Sequence, residues 1–232
     1  MSTDPHKHFY SSLKSIRPWF FKLISNKGDY MKIIGINASP RKNANTQTLV
    51  ESALNGAAEK GAEIRLVNLR ELNINGCTGC GRCKKDIGKC VQKDDLTTLL
   101  QDMTTCNAIV MGTPVHWYHV SAQFKMLVDR FYCFSYYVEN PEKRGEYIMK
   151  SVFPPGNSLL FIISRGDPEP AAPHYSQLYD HLNEWLAIIP HELGVGKYKI
   201  LHQHGAGLDR QSAKNDAALL EKAKSAGAGL VI

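Results

Sequence analysis

The sequence predicts a doubly wound α/β fold, a five-stranded parallel sheet in the order 2-1-3-4-5 with helices on both faces. Three observations predict it. From Met31 onward, short apolar runs rich in β-branched residues alternate with amphipathic helical patterns, the signature of strands and helices in turn. The first unit, Lys32 to Thr48, reads as a strand, a polar turn and a helix. Right-handed crossovers then restrict five such strands to very few arrangements, of which this one places a crevice between strands one and three.

Strands are predicted at 32–37, 63–69, 107–112, 158–164 and 197–202, and helices at 45–60, 95–104, 121–131, 175–189 and 211–226. Gly61 and Gly227 stand where helix-ending glycines belong. The first strand breaks at Ser39-Pro40, because proline cannot continue a central strand. The turn behind it holds Ser39, Arg41, Lys42, Asn43, Asn45, Thr46 and Thr48, and an apolar helix begins at once with Leu49 and Val50. Backbone N–H groups, a helix N-terminus, hydroxyls and Arg41 converge there, which suits a phosphate. The plainer reading is a turn capped by Asn45 or Thr46. Neither a Gly-x-Gly-x-x-Gly nor a P-loop motif is present, which disfavours dinucleotide and nucleoside-triphosphate sites.

The loop after strand three runs Gly112-Thr113-Pro114-Val115-His116-Trp117-Tyr118-His119, followed by Ser121 as a helix cap. Flat aromatic surfaces beside exposed backbone donors suit a planar heteroaromatic ring. Gly166, after strand four, permits close backbone approach on the same edge. The segment 132–157, with Tyr132, Phe134, Tyr136 and Tyr137, is a cover for the crevice, a subunit contact or a plain surface loop.

After strand two comes a cysteine-rich loop, 76–93, with Cys77, Cys80, Cys83 and Cys90. Three cysteines at two-residue spacing with a fourth nearby match iron–sulfur ligation. Zinc, which usually takes two separated pairs, and redox-active free thiols stay open as alternatives. Glycines in the loop allow it to wrap tightly, and Arg82, Lys84, Lys85 and Lys89 offset thiolate charge. Cys106 and Cys133 are expected to stand apart as buried small hydrophobes, and His202 and His204 to be packed or at the surface.

The 232 residues suit one domain, 31–232, with an N-terminal extension, 1–30. No run of eighteen apolar residues exists, so no transmembrane segment is expected. With no signal-peptide pattern and six cysteines placed for metal or redox use, a cytoplasmic protein is expected. Of the net charge of +6, residues 1–30 supply +3, from five Lys/Arg and two Asp. The body is only mildly basic, which argues for anionic small ligands and against nucleic acid. The extension is expected to be a tail dispensable for the fold rather than a membrane-surface contact, since Pro18 interrupts any amphipathic helix.

From Met31 to Ile232 the chain resembles the flavodoxin-like NADPH-dependent FMN reductase family, in its iron–sulfur flavoprotein branch. The resemblance rests on Asn37-Ala-Ser39-Pro40-Arg41 with Asn45-Thr46, the four cysteines followed by Asp94-Asp95, and Gly112-Thr-Pro114-Val115-x-Trp117 with Ser121-Ala122, Lys125 and Asp129-Arg130. It implies FMN, its phosphate on Ser39, Arg41, Asn43, Asn45 and Thr46 and its ring on Thr113, Pro114, Val115, His116, Trp117 and Gly166. It also implies a 4Fe-4S cluster on Cys77, Cys80, Cys83 and Cys90, a homodimer or homotetramer, and ferredoxin or NAD(P)H as electron donor. His116 stands where tyrosine is usual. Two other functions remain: an NAD(P)H-dependent flavin or quinone reductase without a working cluster, and a non-catalytic flavodoxin-like binding module.

Overall fold

The computed structural model describes residues 30–154, 156–168, 173–207 and 209–231. The expectation for the N-terminal extension therefore lies outside the described residues, Tyr30 excepted. In chain order the regular elements are β1 (Lys32–Asn37), α1 (Asn45–Glu59), β2 (Glu63–Asn68), α2 (Asp95–Met103), β3 (Ala108–His116), β4 (His119–Val120), α3 (Ala122–Arg130), β5 (Ser135–Glu139), β6 (Tyr147–Ser151), β7 (Ser158–Ser164), α4 (Pro173–Leu193), β8 (Lys197–Gln203) and α5 (Ala217–Ala228). The main sheet runs β2-β1-β3-β7-β8, all parallel, which is the order 2-1-3-4-5 in the predicted strands.

Alternation along each strand divides the core into two layers. Ile33, Val110, Leu160 and Ile162 pack with Leu49, Val50 and Ala53 of α1 and Leu219 and Ala223 of α5. On the other face Ile34, Ile36, Ile109, Met111 and Phe161 meet Leu96 and Leu99 of α2, Phe124 and Leu127 of α3, and Leu182 and Leu186 of α4. Near-continuous apolar strands are what a parallel sheet covered on both faces requires. None of the described helices is long and apolar enough to cross a membrane.

Four expectations are corrected. Gly227 does not end a helix but lies inside α5, packed on α1. A Cβ at Gly227 would sit 1.8 Å from the Ala53 carbonyl oxygen, and one at Gly56 would sit 1.9 Å from that of Lys224. The two backbones are in contact, and neither carbonyl can retreat without separating the helices. Gly227→Ala should therefore destabilise by about 3 kcal/mol or more, read as a lower denaturation midpoint with an unchanged slope. Gly61, at φ +88°, does follow a helix end as expected. For the segment 132–157 the plain-loop reading is the one corrected: Ser135–Glu139 and Tyr147–Ser151 form an antiparallel hairpin, β5 and β6. Helix α4 continues past the predicted end through Pro190 to Leu193, because Ile189 and Leu193 are both buried against the core. The fourth correction is at the end of β3. The strand runs on to His116 and turns back into β4, with Val115 opposite Val120.

Candidate functional site

All five parallel strands end on one edge, and polar side chains are buried there. Asn37, Ser39, Thr46, Thr113, Ser164, Arg165 and Gln203 are each 6% exposed or less. Burying so many polar groups at strand ends is costly unless they are paired. Much of the pairing shapes the first loop. Asn37 Oδ1 accepts from Ser39 N–H at 3.1 Å while its amide donates to Asn68 at 3.0 Å. Ser39 Oγ accepts from Arg41 N–H at 3.2 Å. Asn43, in the left-handed region at φ 50°, donates its N–H to the Gln47 side chain at 3.0 Å. The helix follows with Ala44 as its N-cap and no side-chain cap, so Asn45 and Thr46 are not the caps that the plainer reading expects. The first-turn N–H groups of α1 have no partner within the helix and face this turn. The exposed Arg41 guanidinium makes no ion pair among the described residues.

The amide of Asn45 is committed elsewhere: it donates to the Asp209 carbonyl at 2.8 Å and accepts from Ala213 N–H at 3.0 Å. Gln211 donates to the Asn43 carbonyl at 2.7 Å. The loop after β8 is thus stitched onto the first loop and belongs to the same edge. Sequence reasoning missed it, although Gly205 and Gly207, both at positive φ, are a turn signal. Gly207 N–H donates to the Gly166 carbonyl at 2.9 Å, and a Cβ on Gly166 would meet only ordinary contacts from 3.6 Å outward.

In the third loop, Thr113 is fully buried. Its hydroxyl accepts from Ser121 N–H at 3.0 Å, while Ser121 Oγ donates to the Ala38 carbonyl at 2.7 Å and accepts from Phe124 N–H as the cap of α3. Thr113 therefore holds the loop rather than offering its hydroxyl to a ligand. Pro114 and Val115 are half-buried and His116 is exposed. Trp117 and Tyr118 form the hairpin tip at φ 49° and 62°, a conformation that side chains rarely adopt, and Trp117 is 94% exposed.

The cysteine loop is built by a buried ion pair. Asp94 caps α2, accepts from Asn75 N–H at 3.0 Å and meets the Arg130 guanidinium at 2.8 Å, with both side chains at most 1% exposed. Burial works to raise the Asp94 carboxyl, but Arg130 and the Asn75 and Thr97 amides outweigh it and hold it below the usual range. Arg130 also donates to the Asn75 carbonyl at 3.0 Å, two residues before the first loop cysteine. Between these anchors the loop brings Cys77, Cys80, Cys83 and Cys90 to the lining of one pocket, together with Arg130. Cys77 Sγ accepts from Gly79 N–H at 3.4 Å. The Arg82 amide and the Thr78 hydroxyl lower the exposed Cys80 thiol, whereas burial raises Cys83. All six cysteines are free.

Cys133 lines the same pocket, so the expectation that it stands apart is corrected. Burial pushes its thiol up to about 12. Nothing in the local sequence announced this, because the contact is made through the fold. Cys106 is separate and buried, as expected. The chemistry of the pocket fits an iron–sulfur group: several thiols, N–H donors to sulfur, and the Arg130 Nε, which is buried without a hydrogen-bond partner. Among the described residues, no three His, Cys, Asp or Glu side chains converge on a point suited to one metal ion.

His202 is locked into the fold. Arg165 donates to its Nδ1 at 2.7 Å, so the proton sits on Nε2, which donates to Asn183 Oδ1 at 2.9 Å. Burial first, then the charges of Arg165 and His204, lower it from 6.5 to about 4. The unfolded chain therefore binds this proton more readily. Its contribution to stability is complete above pH 6.5 and declines as the pH falls toward 4. His202→Gln should flatten the stability profile across that window in denaturant titrations.

A doubly wound sheet with a polar, helix-capped turn at its switch point is the architecture of α/β proteins that bind flavin mononucleotide or nucleotides there. The chain belongs to the NADPH-dependent FMN reductase family, whose model matches residues 31–157. It is 46% identical over 100 residues to an iron-sulfur flavoprotein of Methanocaldococcus jannaschii, covering 43% of this chain and 51% of that protein. It is 32% identical over 166 residues to an iron-sulfur flavoprotein of Archaeoglobus fulgidus, covering 72% and 68%. Among solved structures it is similar in fold to an NAD(P)H:quinone oxidoreductase from Methanothermobacter marburgensis, at a TM-score of 0.66 and 17% identity over 87% of this chain and 97% of that one. It is also similar to an FMN-dependent NADH-azoreductase from Bacillus anthracis, at 0.63 and 16% over 87% and 100%.

Proposed function

We propose that the chain is a flavin-dependent oxidoreductase of the iron–sulfur flavoprotein type. It would bind FMN at the strand edge and a 4Fe-4S cluster in the cysteine pocket, and pass electrons between a one-electron carrier such as ferredoxin, or NAD(P)H, and a two-electron acceptor. The observation that carries this reading is the gathering of four loop thiols in one pocket on the same sheet edge as the anion-suited turn. The names of the two archaeal relatives support it.

When bound, FMN exchanges one or two electrons and a cluster exchanges one, so the pair can convert between the two kinds of transfer. The chain's own residues bind, orient and balance charge. Ser39, Arg41, Asn43 and the first-turn amides of Asn45 and Thr46 would take the phosphate, their positive ends offsetting its charge. Pro114, Val115, His116 and Trp117 would flank the ring, with Gly166 leaving room opposite. Cys77, Cys80, Cys83 and Cys90 would ligate iron, with Arg130 and the loop amides stabilising sulfur charge. The exposed Trp117, Tyr137 and Tyr147 would seat a second copy in a homodimer or homotetramer.

Cofactor analysis of protein purified without oxygen tests this. About one FMN and about four each of iron and acid-labile sulfide per chain are expected. Recovery of FAD would overturn the flavin assignment. A protein free of iron that reduces quinones with NADPH would be the cluster-free reductase instead, and one with no redox activity would be a binding module. Arg41→Ala should weaken FMN binding by about 1.5–3 kcal/mol, roughly tenfold to a hundredfold in Kd by fluorescence titration.

A further inference from the structure

The cysteine pocket has five thiols in its lining, one more than a four-iron cluster takes. The fifth, Cys133, is not on the cysteine loop. It sits in the short 3-10 turn Phe131–Phe134 behind α3 and is 1% exposed. It is nonetheless held in register with that loop. Gly88 N–H donates to the Cys133 carbonyl at 2.8 Å. The Lys84 ammonium bonds the Tyr132 carbonyl, bonds the Ser135 carbonyl at 2.6 Å, and lies 3.4 Å from the Tyr132 ring centroid. Residues on both sides of Cys133 are therefore pinned to the segment between Cys83 and Cys90, independently of where Cys90 goes. Cys90 lies on a stretch outside helix and strand, seven residues beyond Cys83.

We propose that Cys133 is an alternate fourth ligand of the cluster. Cys77, Cys80 and Cys83 hold three iron corners, and the fourth is open to Cys90 or to Cys133. The inference rests on the cluster reading above. In the exchange, Cys133 gives up its thiol proton and bonds the iron that Cys90 releases, and Cys90 takes up a proton. The oxidation state of every atom is unchanged. Arg130 lines the pocket and the Lys84 ammonium is held on the Tyr132 and Ser135 carbonyls on either side of Cys133, so either thiolate has a cation at hand. A second donor on the turn behind α3 would keep the centre assembled when Cys90 is released or alkylated.

The test is iron and acid-labile sulfide content after reconstitution with ferrous iron and sulfide without oxygen, followed by desalting. It compares the wild type, Cys90→Ala, Cys90→Ala/Cys133→Ala, Cys90→Ala/Cys133→Ser and the ligand-poor control Cys77→Ala/Cys80→Ala. Circular dichroism melts follow the fold, and Cys90→Ala/Cys106→Ala controls for loss of any buried thiol. Cys90→Ala and its Cys106 companion should keep most of the wild-type iron and sulfide. Both Cys133 double variants should fall to the level of the ligand-poor control, the serine form while melting like Cys90→Ala. Loss of iron in Cys90→Ala alone, or equal iron with and without Cys133, would overturn the proposal. A wild type that takes up no more iron and sulfide than the ligand-poor control would instead sink the cluster reading itself.

Discussion

Arg130→Met should cost about 3–5 kcal/mol of stability, because it leaves the Asp94 carboxylate buried without its countercharge. The carboxylate keeps its bonds to the Asn75 and Thr97 amides but loses the guanidinium at 2.8 Å. Replacing Asp94 by leucine as well should not restore everything, since the same side chain is the N-cap of α2, worth about 1 kcal/mol. The double variant should still be more stable than the sum of the two single losses predicts, which a double-mutant cycle reads directly. The acid response gives a second check. With its folded pKa held low, Asp94 contributes stability above the unfolded carboxylate range, and this is lost as the pH falls through the folded value. Without Arg130, burial is opposed only by the amides, so acid unfolding should begin at a higher pH. Equal acid midpoints in wild type and variant would show that the pair is not what sets the Asp94 pKa.

The strand order and the chemistry-bearing loops were legible because the three central parallel strands, β1, β3 and β7, are apolar on both faces and the breaks between strands carry Pro, Gly and polar residues. The cysteine spacing was legible for the same local reason. Gly227 was misread because a glycine near a helix end has two uses, a left-handed cap or a close backbone approach, and only the partner helix decides between them. The β3–β4 hairpin was missed because its tip is Trp117-Tyr118, where Asn-Gly or Asp-Gly would be the usual signal. Asn45 looked like a ligand for the anion turn, yet its amide reaches across the chain to residues 209 and 213. Cys133 was set aside for the same reason: its place depends on α3 carrying the following turn under the cysteine loop. Periodicity and spacing report what lies within one element and its loop, and these residues act between elements that are distant in sequence.

Cys80→Ser should remove most iron and sulfide while leaving FMN content nearly unchanged. The two sites sit on loops that follow different strands, the anion turn behind β1 and the cysteine loop behind β2, and each is braced by its own bonds. Cys80 is exposed, and the Arg82 amide and the Thr78 hydroxyl lower its thiol, which favours the form that ligates iron. A serine hydroxyl in its place stays protonated at neutral pH and is a far poorer iron ligand. Because the substitution is nearly isosteric at an exposed position, thermal stability of the sheet should change little, which separates ligand loss from unfolding. Reduction by a one-electron donor such as a ferredoxin should then fall sharply. Direct reduction of bound FMN by NAD(P)H should persist, since it needs only the strand-edge site. Iron content and one-electron rates equal to the wild type would refute the assignment of Cys80 as a ligand. A parallel loss of FMN would show that the cysteine loop also braces the flavin edge, through the Asn37–Asn68 bond that joins the ends of β1 and β2.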